Sequence, residues 1–366
     1  MLQRPQHLMS RFARNRRVFF FEEALFEEAE PHLRQQTCPD TGVHVVTPVL
    51  PAGSNGTQAN AMLRQLLDQT LEQNKIAKYL TWYYTPMAME FTGALDPSVV
   101  VYDCMDQLSA FADAPRSMLI NEEALFRTAD LVFTGGASLF EAKRTQHSNV
   151  HLFPSSVDKD HFAKARTGLA EPADQQPIAK PRIGYAGVID ERMDLELVRQ
   201  VADARPDWQF VFLGPIAKID PDLLPKSSNI HWLGMKPYAE LPAYFSGWQI
   251  GFLPFALNEC TRFISPTKTP EYLSAGLHVI STPIRDVITP YGQLGLVSIA
   301  QDAAGVIAAA DRIFREPEAA SWRNDVKDFL DRMSWDRTWV AMEQLIEGVL
   351  SSKALEGPQQ PSVLAM

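Results

Sequence analysis

Between Pro254 and Gly276 the chain reads PFALNECTRFISPTKTPEYLSAG, a strand end, a loop and then a helix start. Thr269 suits the N-cap, Pro270 the first helical position and Glu271 the first turn. The loop before them, Ser265-Pro266-Thr267-Lys268, then offers free backbone N–H groups and a lysine at the positive end of a helix dipole. That is the chemistry of a pyrophosphate site. Glu271 beside it suits a ribose, because a carboxylate accepts from two vicinal hydroxyls. Spacing alone leaves an alternative open, with Lys268 a solvated surface lysine and Glu271 a favourable first-turn acid.

A second candidate is the turn Gly184-Tyr-Ala-Gly187-Val-Ile-Asp190-Glu-Arg192. Glycines around a strand end let a ligand approach the backbone, and Arg192 has the reach to meet a donor phosphate. The alternative for Arg192 is a salt bridge with Asp190 or Glu191. The pattern is not GxGxxG and no acid follows at the dinucleotide offset, which argues against NAD. A third candidate is Val99–Ser109, where an apolar strand ends in Asp103 and Asp106. Asp106 is the candidate catalytic base for an acceptor hydroxyl, with local loop capping as its alternative. Gly234 and Tyr238 follow another strand end and are candidates to sandwich a nucleobase. Tyr83-Tyr84-Thr85-Pro86 offers a stacking face to an acceptor sugar. Metal ligation is not expected, since the eight histidines show no ligand spacing and there is no HExxH. No cofactor other than the donor substrate is expected, and neither GxSxG nor a P-loop occurs.

These residues need scaffolds that hold strand ends together. Short apolar runs at Val18–Phe21, Val43–Val49, Tyr79–Tyr84, Val99–Tyr102, Leu131–Thr134 and Val150–Phe153 alternate with helix-period stretches. The alternation restarts after residue 181, with strands expected at Arg182–Ala186, Gln209–Leu213, Asn229–Leu233, Ile250–Pro254, His278–Ser281 and Leu296–Ile299. Unalternating strands separated by helices mean parallel sheets covered on both faces. The expected fold is therefore α/β, two Rossmann-like doubly wound domains facing across a cleft. The expected division is 1–164 as an acceptor-side domain, 165–181 as a linker and 182–333 as the nucleotide-sugar domain. Residues 334–350 form a helix crossing back to the first domain, and 351–366 a disordered tail. The chain opens directly into a helical pattern at His7–Asn15. The first sheet is accordingly expected to lack its first strand, with a reading frame that starts late as the favoured explanation.

Bulk properties exclude several classes. With 366 residues the chain exceeds what one core usually supports, and 46% hydrophobic content supplies two. A net charge of −10 without a basic stripe makes nucleic acid an unsuitable partner. The three cysteines lie far apart and read as reduced thiols of a cytoplasmic protein. No secretory signal or membrane-spanning run is expected. Arg4, Arg11, Arg14, Arg16 and Arg17 could give weak peripheral contact with the inner face of the membrane, against the plainer reading of a solvated basic helix.

Taken together, several segments resemble GT-B-fold glycosyltransferases of the family 4 type, particularly bacterial members of polysaccharide and teichuronic-acid biosynthesis. They are Arg4-Pro5-Gln6-His7-Leu8, the YDCMD segment, Phe133-Thr134-Gly135-Gly136, Phe153-Pro154-Ser155-Ser156-Val157-Asp158, Gly184–Gly187, Ser265–Lys268 with Glu271-Tyr272-Leu273, and Ser334-Trp335-Asp336. The resemblance implies a nucleoside-diphosphate sugar bound without metal, and transfer of a hexose to a hydroxyl of a saccharide or lipid-linked acceptor. Glu271 matches the later glutamate of the family's pair, while the position of the earlier one holds Phe263. The family's strand-end arginine falls on Val188 and its His-Asp reads Met105-Asp106. These departures leave retention or inversion open. A sugar-nucleotide epimerase and a degenerate donor-binding protein are the alternative functions.

Overall fold

The computed structural model describes residues 3–111, 114–316, 319–353 and 362–366. The chain divides into two compact units. The first joins the residues up to Pro154 with Trp335–Met366, and the second is Ser155–Ser334.

In the first unit the helices are α1 (Arg4–Phe12), α2 (Gly56–Gln73), α3 (Met89–Thr92), α4 (Ser117–Thr128) and α5 (Ala137–Lys143). Its strands are β1 (Val18–Phe21), β2 (Leu25–Glu27), β3 (His32–Thr37), β4 (His44–Pro51), β5 (Tyr79–Tyr83), β6 (Val99–Cys104), β7 (Leu131–Thr134) and β8 (Val150–Leu152). Helix starts follow local chemistry: Asn55 accepts from the Gln58 N–H at α2 while the Gln58 side chain returns the bond. β2 and β3 were not expected, because β2 is only three residues long, with Leu25 and Phe26 exposed, and β3 is largely polar and exposed. β3 alone runs antiparallel, on β4.

The second unit holds α6 (Lys159–Ala163), α7 (Leu195–Ala204), α8 (Leu241–Phe245), α9 (Lys268–Ala275), α10 (Arg285–Val287), α11 (Ala303–Arg315) and α12 (Ala320–Leu330). Its strands are β9 (Arg182–Ala186), β10 (Gln209–Leu213), β11 (Ile230–Trp232), β12 (Ile250–Leu253), β13 (His278–Ser281) and β14 (Ser298–Ile299). They pair in parallel in the order β11-β10-β9-β12-β13-β14. This is a doubly wound sheet with its switch point between β9 and β12, where such sheets bind ligands.

The chain then returns to the first unit as α13 (Trp335–Ser352) and β15 (Ser362–Ala365). The sheet order of that unit is β2-β4-β1-β15-β5-β6-β7-β8. Relabelled by place, β4-β1-β15-β5-β6-β7 is the 3-2-1-4-5-6 order of a doubly wound sheet, with β15 in the central first-strand position. Val363 pairs with Val18 on one side and Leu80 on the other. The Met366 N–H donates to the Trp82 carbonyl at 2.9 Å. Val363, Leu364 and Ala365 are buried. The expectation of a disordered tail over 351–366 therefore fails at Ser362–Ala365, while 354–361 lie outside the described residues. Four residues are too few for a periodic signal, and only two flanking strands give them a place.

The expected linker 165–181 is also folded. Gln175 is fully buried, donating to the Tyr244 carbonyl at 3.0 Å and accepting from Trp248 Nε1 at 2.8 Å. Its polar composition reads as a loop because the hydrogen-bond partners are remote in sequence. The basic start of the chain is likewise engaged. Arg11 and Arg14 pair with Asp336, Arg16 with Glu343 and Glu347, and Arg4 with Asp103. Arg17 donates to the Asn74 carbonyl. None of the described helices is long and apolar enough to cross a membrane.

Candidate functional site

The site of the second unit is built at the end of β9. Tyr272 of α9 accepts a hydrogen bond from the Ala186 N–H, the last residue of β9, at 2.7 Å. Its ring lies where a Cβ on Gly251 of β12 would stand 2.4 Å away, so only glycine fits there. This seats the first turn of α9 against the β9–β12 switch point. The loops after both strands are stitched together: Asp194 N–H donates to the Pro254 carbonyl and Ala256 N–H to that of Arg192, each at 2.8 Å. Gly187 stands in this ring of loops, its carbonyl 1.8 Å from where a Cβ on Gly214 would be.

α9 begins at Lys268 rather than Pro270, with Thr267 as its N-cap and no side-chain cap. The Thr269 N–H bonds to the Pro266 carbonyl and that of Glu271 to Thr267, so the turn is already wound before the proline. The expected N-cap, Thr269, is thus inside the helix, fully buried, with no hydrogen-bond partner for its Oγ1. Ser265 and Thr267 are half-buried on the approach. Gly276, at φ +82°, closes the helix in the left-handed region.

Lys268 Nζ donates to Glu271 Oε2 at 2.7 Å, each side chain only 10% exposed. Burial raises the Glu271 carboxyl above its ordinary value, and the Lys268 ammonium pulls it partly back. The picture of two solvated surface groups does not hold. The result is a cation and a carboxylate held together on one turn, at the helix end that favours negative charge.

Tyr238 joins this cluster in part. Burial and the nearby Glu271 and Asp158 carboxylates push its phenol up. One face of its ring is taken: His161 of α6 stacks on it at 4.2 Å and 10°, and His161 Nε2 lies 2.9 Å from the Tyr238 carbonyl. Gly234 is exposed at φ +70°, and its carbonyl accepts from the Gly214 N–H at 2.9 Å. Arg192 grips Asp190 with both ends of its fork, at 2.9 and 2.6 Å. His161 was missed because residues up to 164 were assigned to the first unit. The signal was the FPSSVD segment, whose Asp158 caps α6, the helix packed on α9.

The two acids of the first unit separate cleanly. Asp103 is fully buried under Arg4, whose Nε lies 3.0 Å from both carboxylate oxygens and whose Nη2 lies 2.8 Å from one. It is a structural acid, raised by burial against the pull of Arg4. Asp106 is half-buried after β6, and its carbonyl accepts from the Leu108 N–H at 3.0 Å. Tyr84 is buried, which removes it as a stacking face. Among the described residues no group of three or more His, Cys, Asp or Glu side chains is placed to hold a metal.

Two Rossmann-like units, the second with its loops joined at the switch point, define the GT-B fold of glycosyltransferases, and solved structures agree. Sucrose-phosphate synthase from Thermosynechococcus elongatus superposes with a TM-score of 0.70 at 15% identity, over 95% of this chain and 92% of that one. HepE of Anabaena, crystallised with UDP and glucose, gives 0.67 at 11% identity, over 91% and 100%. WaaG, a glycosyltransferase involved in lipopolysaccharide biosynthesis, gives 0.61 at 12%, over 90% and 100%. In sequence the chain is similar to TuaH of Bacillus subtilis (strain 168), whose name places it as a glycosyltransferase in teichuronic acid biosynthesis. The two are 25% identical over 222 residues, 55% of this chain and 54% of TuaH, so the chain matches about half the length of that curated relative. No family model matches the chain.

Proposed function

We propose that the protein is a glycosyltransferase that moves a hexose from a nucleoside-diphosphate sugar to a hydroxyl of a saccharide or lipid-linked acceptor in cell-surface polysaccharide biosynthesis. The observation that carries this reading is the buried Lys268–Glu271 pair on the first turn of α9, beside the end of β9. In the proposed donor complex Lys268 and the helix start face the diphosphate, and Glu271 accepts from the ribose hydroxyls. As the bond to the sugar breaks, negative charge grows on the leaving diphosphate, and preorganised donors stabilise it. The charge is met by Lys268 and backbone N–H groups without a metal. Asp106 is assigned the acceptor proton. Solved relatives of the same fold support the donor class, HepE by its complex with UDP and glucose. The reading places the protein in the cytoplasm, with Arg11 and Arg14 paired to Asp336 of α13.

Calorimetric titration with UDP, GDP and their glucose and mannose conjugates tests the donor site. Wild-type protein is expected to bind one base family, and Lys268→Ala to weaken that binding. Loss of one such donor should also lower the transfer rate by about 10²–10³-fold, roughly 2.7–4 kcal/mol. Equal affinity in both proteins would remove Lys268 from the site. Donor binding with no transfer would favour a degenerate donor-binding protein, and conversion of the donor sugar itself an epimerase.

A further inference from the structure

Of the residues gathered around Glu271, Tyr238 and His161 have no task in the donor reading above. Tyr238 opens a short 3-10 turn after β11, Tyr238–Glu240, and two residues of α6 hold its ring. His161 covers one face at 4.2 Å and 10°, and Phe162 meets the ring edge-on at 5.5 Å and 82°. The main chain is pinned as well. His161 Nε2 stands 2.9 Å from the Tyr238 carbonyl, and since a carbonyl only accepts, that nitrogen carries the proton. α6 is itself fixed: Asp158 accepts from the His161 N–H, Phe162 is fully buried, and the helix packs on α9. A side chain braced in this way loses little freedom when a ligand meets it.

The phenol is more than packing. The residue is half-buried, and burial first, then the Glu271 and Asp158 carboxylates, keep its hydroxyl protonated. One oxygen of Asp158 serves the α6 cap, and Glu271 is held by Lys268 through Oε2. A group able to donate therefore lies near a carboxylate able only to accept. A sugar hydroxyl satisfies both at once, giving its proton to the carboxylate and taking the phenol's bond on its oxygen.

We propose that Tyr238, held in place by His161, is a specificity-determining residue of the ribose subsite, its O–H donating to a ribose hydroxyl whose own proton is shared with Glu271. This rests on the donor reading, and it moves Tyr238 from the nucleobase to the sugar of the nucleotide. The ligand class is a ribonucleoside diphosphate. His161 is a positioning residue, acting through Tyr238.

The test titrates the full chain calorimetrically with UDP, GDP and the 2′-deoxy and 3′-deoxy forms of each. For the base that the wild type binds, Tyr238→Phe keeps the stack on His161 and should weaken the ribonucleotide about tenfold at unchanged Tm. On one of the two deoxy forms the same change should cost nothing, because the hydroxyl that Tyr238 addresses is already gone. His161→Ala should show the same selective loss to a smaller degree, while His161→Phe keeps a stacked ring and should retain most of the affinity. A purely structural role would lower affinity for every nucleotide alike. An equal loss on the ribonucleotide and both deoxy forms would overturn the ribose assignment, as would no loss on any of them. Either result, with the wild type still binding, leaves the donor reading standing. Failure of the wild type to bind any of these nucleotides would sink the donor reading and the ribose assignment with it.

Discussion

Each unit carries a buried ion pair near the carboxyl ends of its strands, and the two are built for different purposes. Arg4 and Asp103 are 99 positions apart, joined by three hydrogen bonds, with a fourth to the Phe153 carbonyl. Lys268 and Glu271 sit three positions apart on one turn, joined by a single contact of 2.7 Å. The first pair ties remote segments together, and a guanidinium fork fixes its geometry. The second can part without disturbing the backbone, because both groups are on α9 and a diphosphate and a ribose would offer each a new partner. On the proposed donor reading, the bidentate long-range pair is scaffold, and the monodentate pair within one turn at a helix start is one that a ligand can open.

The sharpest way to break this comparison is to disturb the scaffold side at its least local point. Leu364→Asp puts a carboxylate between β1 and β5, and should cost more than about 4 kcal/mol, unfolding the first unit while the second keeps its transition in a denaturant titration. Survival of the first unit would mean that β15 is dispensable. Arg4→Met leaves Asp103 buried and unpaired, and should cost about 3–5 kcal/mol. The double variant Arg4→Met with Asp103→Leu should recover most of that loss. If the single change is as mild as the double one, the pair is not scaffold.

Lys268→Ala should be milder for folding, about 1–2 kcal/mol at pH 8, although it should lower transfer by about 10²–10³-fold. Burial already raises the Glu271 carboxyl, and without Lys268 it rises further. A group whose folded value is raised stabilises the protein in its protonated form, so the variant's deficit should shrink as the pH is lowered. Thermal unfolding of wild type and variant between pH 5 and pH 8 measures this, and a deficit that grows on acidification would contradict it. The smallest expected effect is in wild-type donor binding. Because Glu271 must be ionised to accept from ribose, UDP affinity should fall several-fold on acidification, beginning above the ordinary carboxyl value of 4.5. Affinity that stays flat down to that value would detach Glu271 from the ribose.

What was legible in the chain was local. β9, β10 and β13 were read to the residue, since a buried strand announces itself by its own apolar spacing. That Lys268 and Glu271 share one turn was legible for the same reason, while their burial as a pair was not. The three-residue β2 and the polar β3 carried no such spacing, and the helix start of α9 was misplaced by two residues because Pro270 resembles a first position more than Lys268 does.

By itself the sequence determined two runs of parallel strand and helix, and the placing of Lys268 and Glu271 on one turn, because periodicity, capping and turn preference act over a few residues. Tertiary structure alone decided that Ser362–Ala365 closes the centre of the opposite end's sheet, that Arg4 answers Asp103, and that His161 covers a face of Tyr238. Each of these joins segments tens to hundreds of residues apart. Strand pairing, buried charge and ring stacking are satisfied by whichever partner the folded chain brings near, and no local pattern names that partner in advance.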